Sequence, residues 1–142
     1  KSGGTMNATA QDETMREQKV LDVFERHVTA FTSGDLGAVL NDFGEHSVVI
    51  TPDGVFEGLE QIGSLYKGLL AEFGVINHGD SPGFTFDTVY ARHDTLFITW
   101  HAVSVRHVFP YGTDTFVCSG DKFERQSIAY SPPQLRNGPI WG

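Results

Sequence analysis

The sequence holds a single cysteine, Cys118, so it can form no internal disulfide and lacks the second thiol of a cysteine-based zinc site. A reducing, cytoplasmic setting fits this. Basic residues are also scarce: ten Lys and Arg stand against eighteen Asp and Glu, for a net charge of −8, and no basic cluster reverses the sign locally. A phosphate backbone would be repelled, and no nucleic-acid partner is expected. No apolar run approaches the roughly 18 residues of a membrane span, so no membrane partner is expected either. The six histidines show no HExxH or other compact ligand spacing, which predicts no metal. "GVINHGDSPG" contains neither GxGxxG nor GxxxxGK, and no GxSxG elbow occurs anywhere. Cofactor cradles and an activated serine are therefore not indicated. Nothing around Cys118 would lower its pKa, and it reads as a small buried hydrophobe.

What is present is a chain of 142 residues with two regimes of periodicity. From about Asp12 to Ser33, the apolar Val20, Val23, Phe24, Val28 and Phe31 recur at helical spacing, and "SGD" ends that helix and starts another. Asp35 is placed to cap a short helix, "DLGAVLNDF", in which Leu36, Val39, Leu40 and Phe43 share a face. "HSVVITPDG" reads as a strand closed by a Pro-Asp-Gly turn. A third helix, "LEQIGSLYKGLLAEFG", carries the stripe Ile62, Leu65, Leu69, Leu70, Phe73 and offers Gly74 as a left-handed cap. After a Gly/Pro-rich loop the period changes to two. "FTFDTVYAR", "DTLFITWHAVSV", "GTDTFVCSG" and "KFERQSIAY" are strands, with turn signals at "RHD", "FPYG" and "SGD". The tail contains three prolines, which excludes a helix or a central strand there; Ile140 and Trp141 would dock on the body or on a neighbour. The expected fold class is α+β: a cone-shaped, curved antiparallel sheet wrapped around three N-terminal helices, with a cavity where the helices close only one end.

Three polar residues stand on faces that should be apolar. At ~100° per residue, His27 points with Val20, Phe24 and Phe31, and Tyr66 points with Ile62, Leu65, Leu69 and Phe73. Each needs a buried hydrogen-bond partner, because an unmade bond costs about 1–3 kcal/mol. Asp114, in "GTDTFVCSG", is a candidate partner for both if it faces inward beside Phe116. There it must be paired, solvated in a cavity or protonated. The structural alternatives are a satisfied core histidine, a tyrosine whose hydroxyl reaches an edge, and an aspartate turned to solvent. His101 alternates with Trp100, so only one of the two faces inward; His46, His78, His93 and His107 fall in loops or near strand ends.

The order of elements resembles the SnoaL-like proteins of the nuclear transport factor 2-like superfamily, which also holds ketosteroid isomerases. "AFTSGDLGAVLNDFGEHSVVITPDGVFEGLEQI" is similar to the family's helix, Gly-Asp, helix, strand and Pro-Asp-Gly-x-x-x-Gly series, and "TDTFVCSGDKFERQSIAY" to its last hairpin. The similarity runs from about Val20 to Tyr130 and implies a single domain, taken over residues 6–142; residues 1–5, short and Gly-rich before Met6, read as an expression remnant. The resemblance places His27 where ketosteroid isomerases keep the tyrosine that donates to the substrate oxyanion. Asp114 matches their protonated aspartic acid, and Tyr66 a tyrosine that supports the first donor. Thr51 replaces their carboxylate base, which counts against steroid isomerisation, since threonine cannot abstract a carbon-bound proton at neutral pH.

Alternation and the resemblance together imply a cavity lined by Ile98, Trp100, Gln126, Ile128 and Tyr130 with Phe43 and Phe116. Its partner would be a small hydrophobic molecule. Two functions stay open. One is a cofactor-independent isomerase, cyclase or dehydratase acting on a small apolar carbonyl compound, with His27 and Asp114 catalytic and Tyr66 and Gln126 binding substrate. The other is a non-catalytic ligand-binding or dimerisation module, forming a homodimer through the sheet's outer face around Val103, Val105 and His101.

Overall fold

The computed structural model describes residues 2–73 and 83–136, with side chains from Ala10 onward. Gly74, His78, Ile140 and Trp141 lie outside the described residues. Ten elements follow in chain order: α1 (Ser2–Thr32), α2 (Leu36–Leu40), β1 (Phe43–Thr51), β2 (Gly54–Glu57), α3 (Gly58–Phe73), β3 (Gly83–Arg92), β4 (Thr95–Val103), β5 (His107–Ser119), β6 (Lys122–Tyr130) and β7 (Gln134–Leu135). Helix α1 begins at Ser2, ten residues ahead of the Asp12 start predicted from periodicity. Its apolar stripe is what packs: Val20, Val23, Phe24 and Ala30 are buried, and His27 is buried with them.

Gly34, at φ 74°, takes the left-handed turn that ends α1 without a Cβ penalty. Asp35 then caps α2, its carboxylate accepting from the Ala38 N–H at 3.0 Å. Helix α2 stops at Leu40, so Phe43 opens β1 and does not complete the α2 face. The predicted Pro-Asp-Gly turn is present, and it leads into a strand the sequence pattern did not mark, β2, which pairs back onto β1.

The strands form one sheet in the order β2-β1-β6-β5-β4-β3, with β7 beside β5. Most neighbours are antiparallel, but β1 runs parallel to β6, so the sheet is mixed and not wholly antiparallel. A hairpin could not produce that pair; the connection from β1 to β6 crosses most of the domain. The turn between β4 and β5 also differs from expectation. "FPYG" lies inside β5, and the chain reverses at Ser104–Arg106. Opposite β4 the register moves from Trp100↔Gly112 to Ala102↔Phe109, so Pro110 and Tyr111 sit in a bulge, where a residue lacking an N–H is tolerated. Register shifts recur in the β1–β6, β3–β4 and β5–β6 pairs and bend the sheet around the helices. Helix α1 crosses β3 and β4 while α3 packs on β1 and β2. The core between helices and sheet is aromatic-rich, with Phe43, Phe73, Trp100, Phe116 and Phe123 buried.

Candidate functional site

Along β5 the exposure alternates, and Gly112, Asp114, Phe116 and Cys118 face the interior. The aspartate among the strand residues is therefore inside, 8% exposed. Trp100, its near neighbour on β4, faces inward as well, and His101 faces out, 2.8 Å from Asp87. The indole fits because Gly112, directly across the ladder, has no side chain: a Cβ there would stand 2.2 Å from the Trp100 ring.

A chain of buried hydrogen bonds crosses the inner end of the fold. The Trp100 indole N–H donates to Asp114 Oδ1 at 2.9 Å, and Gln126 Nε2 donates to Asp114 Oδ2 at 2.9 Å. Tyr66 donates its hydroxyl to Gln126 Oε1 at 2.8 Å, and His27 Nε2 lies 3.0 Å from the same hydroxyl oxygen. His27 Nδ1 lies 3.0 Å from Asp42 Oδ2, and Arg26 Nε donates to Asp42 Oδ1 at 2.7 Å. Among the described residues no buried side-chain nitrogen or oxygen lacks a partner. The sequence-predicted trio thus belongs to one network, but His27 and Asp114 do not bond each other. Tyr66 and Gln126 stand between them, and Asp42, not Asp114, orients the imidazole.

Asp42 was missed because the expected second helix places it off the face shared by Leu36, Val39, Leu40 and Phe43. It follows α2 and precedes β1, and it is fully buried. Its place is fixed by the β5–β6 turn: the Phe123 N–H donates to the Asp42 carbonyl at 2.7 Å, and Arg26 Nη2 donates to the Asp121 carbonyl at 2.7 Å. An acidic residue directly followed by a core phenylalanine at an element junction was the only trace in the sequence.

The network borders a cavity of about 270 Å³. His27, Tyr66, Ile98, Trp100, Asp114, Phe116, Gln126, Ile128 and Tyr130 line it. Phe43 does not. It packs behind the network, with ring centroids 5.8 Å from His27 and 5.7 Å from Phe123, because it starts a strand and does not end a helix. Phe31, Phe73, Phe84 and Phe109 add to the wall. His27, Tyr66, Asp114 and Gln126 are the buried end of the lining, whereas Thr32, Glu72, Phe86 and Tyr130 keep some exposure.

Burial dominates the electrostatics. Desolvation pushes the Asp114 carboxyl up to about 6, against the opposing pull of the Trp100 and Gln126 donors and of His27. Desolvation, reinforced by the Asp114 charge, likewise holds the Tyr66 phenol well above its ordinary range. Cys118 is pushed up to about 11 by burial and by Asp94, which keeps it an unreactive thiol. At the exposed side of the cavity burial raises Glu72, but donors from Ser104, His107 and Arg106 outweigh it and hold the carboxyl below its usual value. His107 Nδ1 is 2.8 Å from that carboxylate. This second polar cluster was not foreseen, since its members are spread over α3 and the β4–β5 turn. No set of three His, Cys, Asp or Glu among the described residues is grouped to hold a metal ion, and no helix there is long and apolar enough to cross a membrane.

No protein-family model matches the sequence, and no curated protein matches it. Solved structures do resemble the fold. A nuclear transport factor 2-like protein of unknown function from Burkholderia xenovorans superimposes with a TM-score of 0.63 at 16% identity, covering 89% of this chain and 92% of its own. A SnoaL-like protein of unknown function from Burkholderia thailandensis gives 0.62 at 16% identity, covering 82% and 97%. A protein from Kribbella flavida provisionally assigned as a ketosteroid isomerase gives 0.64 at 8% identity, covering 87% and 84%. At such identities the likeness concerns the backbone. The curved mixed sheet, the helices packed on it and these neighbours agree: the chain has an α+β cone fold like theirs.

Proposed function

We propose that the cavity receives a small, largely apolar carbonyl compound and that the protein moves a proton next to the carbonyl without a cofactor, as an isomerase, cyclase or dehydratase would. The observation that carries this reading is Asp114, a carboxyl held to about 6 in the wall of an otherwise aromatic cavity. A group with that affinity is present both protonated and ionised near neutrality, which suits a general acid or base. Asp114 exchanges the proton; the Gln126 carboxamide, held by Tyr66, meets the carbonyl oxygen with its second N–H; Phe116, Ile98, Ile128, Trp100 and Tyr130 hold the apolar body. His27, fixed by Asp42, governs the Tyr66 end as acid or base. Thr51 does not line the cavity and supplies no rival base.

Retained small molecules identified by native mass spectrometry would supply the test compound. With it, Asp114→Asn and His27→Gln each reduce turnover by ~10²–10⁴-fold; losses below threefold in both refute the reading. A second reading is favoured by one observation, that both ring nitrogens of His27 are already engaged within the protein. In it the cavity holds an apolar molecule without turning it over. Binding without turnover, unaffected by Asp114→Asn, selects that alternative. In either case we propose a homodimer formed through the outer face of the sheet, and a cytoplasmic location.

A further inference from the structure

We propose that His27 and Asp114 share one proton through Tyr66 and Gln126, and that turning over the Gln126 carboxamide accompanies its transfer from one end to the other. Asp42 accepts from Arg26 on one oxygen and faces His27 Nδ1 with the other, so Nδ1 keeps its hydrogen throughout. Tyr66 has one hydrogen and two partners. Gln126 has a donor end and an acceptor end, one toward Tyr66 and one toward Asp114.

Only two arrangements then satisfy every contact. In the first, a doubly protonated His27 donates from Nε2 to Tyr66, Tyr66 donates to Gln126 Oε1, and Gln126 Nε2 donates to an ionised Asp114. In the second, a protonated Asp114 donates to Gln126 Oε1, the turned Gln126 Nε2 donates to Tyr66, and Tyr66 donates to a neutral His27 Nε2. The proton His27 loses is the one Asp114 gains, and the net charge is unchanged. With one proton more, Tyr66 meets donors on both sides and its own hydrogen has no acceptor. With one fewer, two lone pairs confront each other along the chain. Both faults leave a buried polar contact unmade, so the proton at one end is coupled to the proton at the other.

Among the described residues, Trp100 bonds Asp114 from β4 and Gln126 bonds it from β6, Tyr66 on α3 bonds Gln126 and His27, and Asp42 with Arg26 stands behind His27. Glu72 and Tyr130 share the cavity with them. The shared proton does not require that the cavity turn over a substrate.

Proton titration of the folded chain, with carbon labels on the histidine rings and aspartate carboxyls read by NMR, tests it. In the wild type the His27 signal shows a second inflection where Asp114 titrates. Asp114→Asn lowers the proton affinity of His27 tenfold or more, and by less than threefold once Tyr66→Phe has cut the chain. A shift of equal size in both backgrounds means coupling through space and overturns the proposal. Gln126→Met is the second cut should Tyr66→Phe not fold, and a single inflection at His27 in the wild type overturns the proposal by itself.

Discussion

At the scale of single residues, Asp114 is where sequence and structure meet most closely. The β-pattern leaves Asp114 either inward beside Phe116, where it must be paired, solvated or protonated, or turned to solvent; the fold buries it, and burial raises its pKa. His27 and Tyr66 were legible for a related reason: helical phase places each among side chains that pack, and both are buried. The links between them were not legible. Gln126 is expected in the cavity, but nothing in the strand pattern marks it as the link between Tyr66 and Asp114, and Asp42 falls off the apolar face of the expected second helix. The raised pKa of Asp114 has a consequence for stability. The folded state holds its proton more tightly than the unfolded chain, whose value is 3.8. The cost of burying the carboxyl is therefore absent below about pH 4, grows as pH rises, and is complete above about pH 6. At 1.36 kcal/mol per unit the full effect is about 3 kcal/mol. Asp114→Asn removes that pH dependence, so chemical denaturation at pH 4 and pH 7 should show the variant gaining on the wild type by about this amount as pH rises. A difference that stays constant across that range would mean Asp114 is ionised without penalty.

At the scale of elements, the helices and the meander strands followed from period alone, because each buries one face and the burial imposes the pattern. Boundaries failed where tertiary contacts override local signals. Phe43 continues the α2 phase by spacing, but the chain turns at Asn41 and Asp42, whose backbone is bound to the start of β6. "FPYG" has turn chemistry, yet its proline occupies a bulge and the strand runs on through it. That bulge sets the register that puts Gly112 opposite Trp100. Gly112 is thus required by close approach. Gly112→Ala would drive a methyl group into the indole and displace the donor that holds Asp114 Oδ1. Overpacking of this kind typically costs 1–3 kcal/mol. Thermal unfolding should show that loss, with tryptophan fluorescence shifted as the ring moves. A variant as stable as the wild type would show that the ladder can give way there.

At the scale of the whole molecule, the α+β class could be read because helical and strand periods are segregated along the chain, whereas the parallel β1–β6 pair could not, since pairing across such a separation leaves no local mark. Nor does the inside of the cone say what the outside does. On that outer face Tyr90, Phe97 and Tyr111 are 71%, 38% and 53% exposed, and the first two are directly paired across β3 and β4. Val105, at the β4–β5 turn, is exposed too, while Val103 is only partly so. Apolar groups gathered on a sheet face favour a twofold contact, in which each residue near the axis meets its own copy. The net charge of −8 opposes association between identical chains, and salt screens that repulsion within about 10 Å at 0.1 M. Light scattering should therefore report twice the chain mass, with the dimer tighter at higher salt. Phe97→Glu sets like charges against each other near the axis and should return the single-chain mass while leaving the interior network and its titration unaltered. A wild type that scatters as one chain at every salt concentration removes the dimer and leaves the cavity argument where it stands.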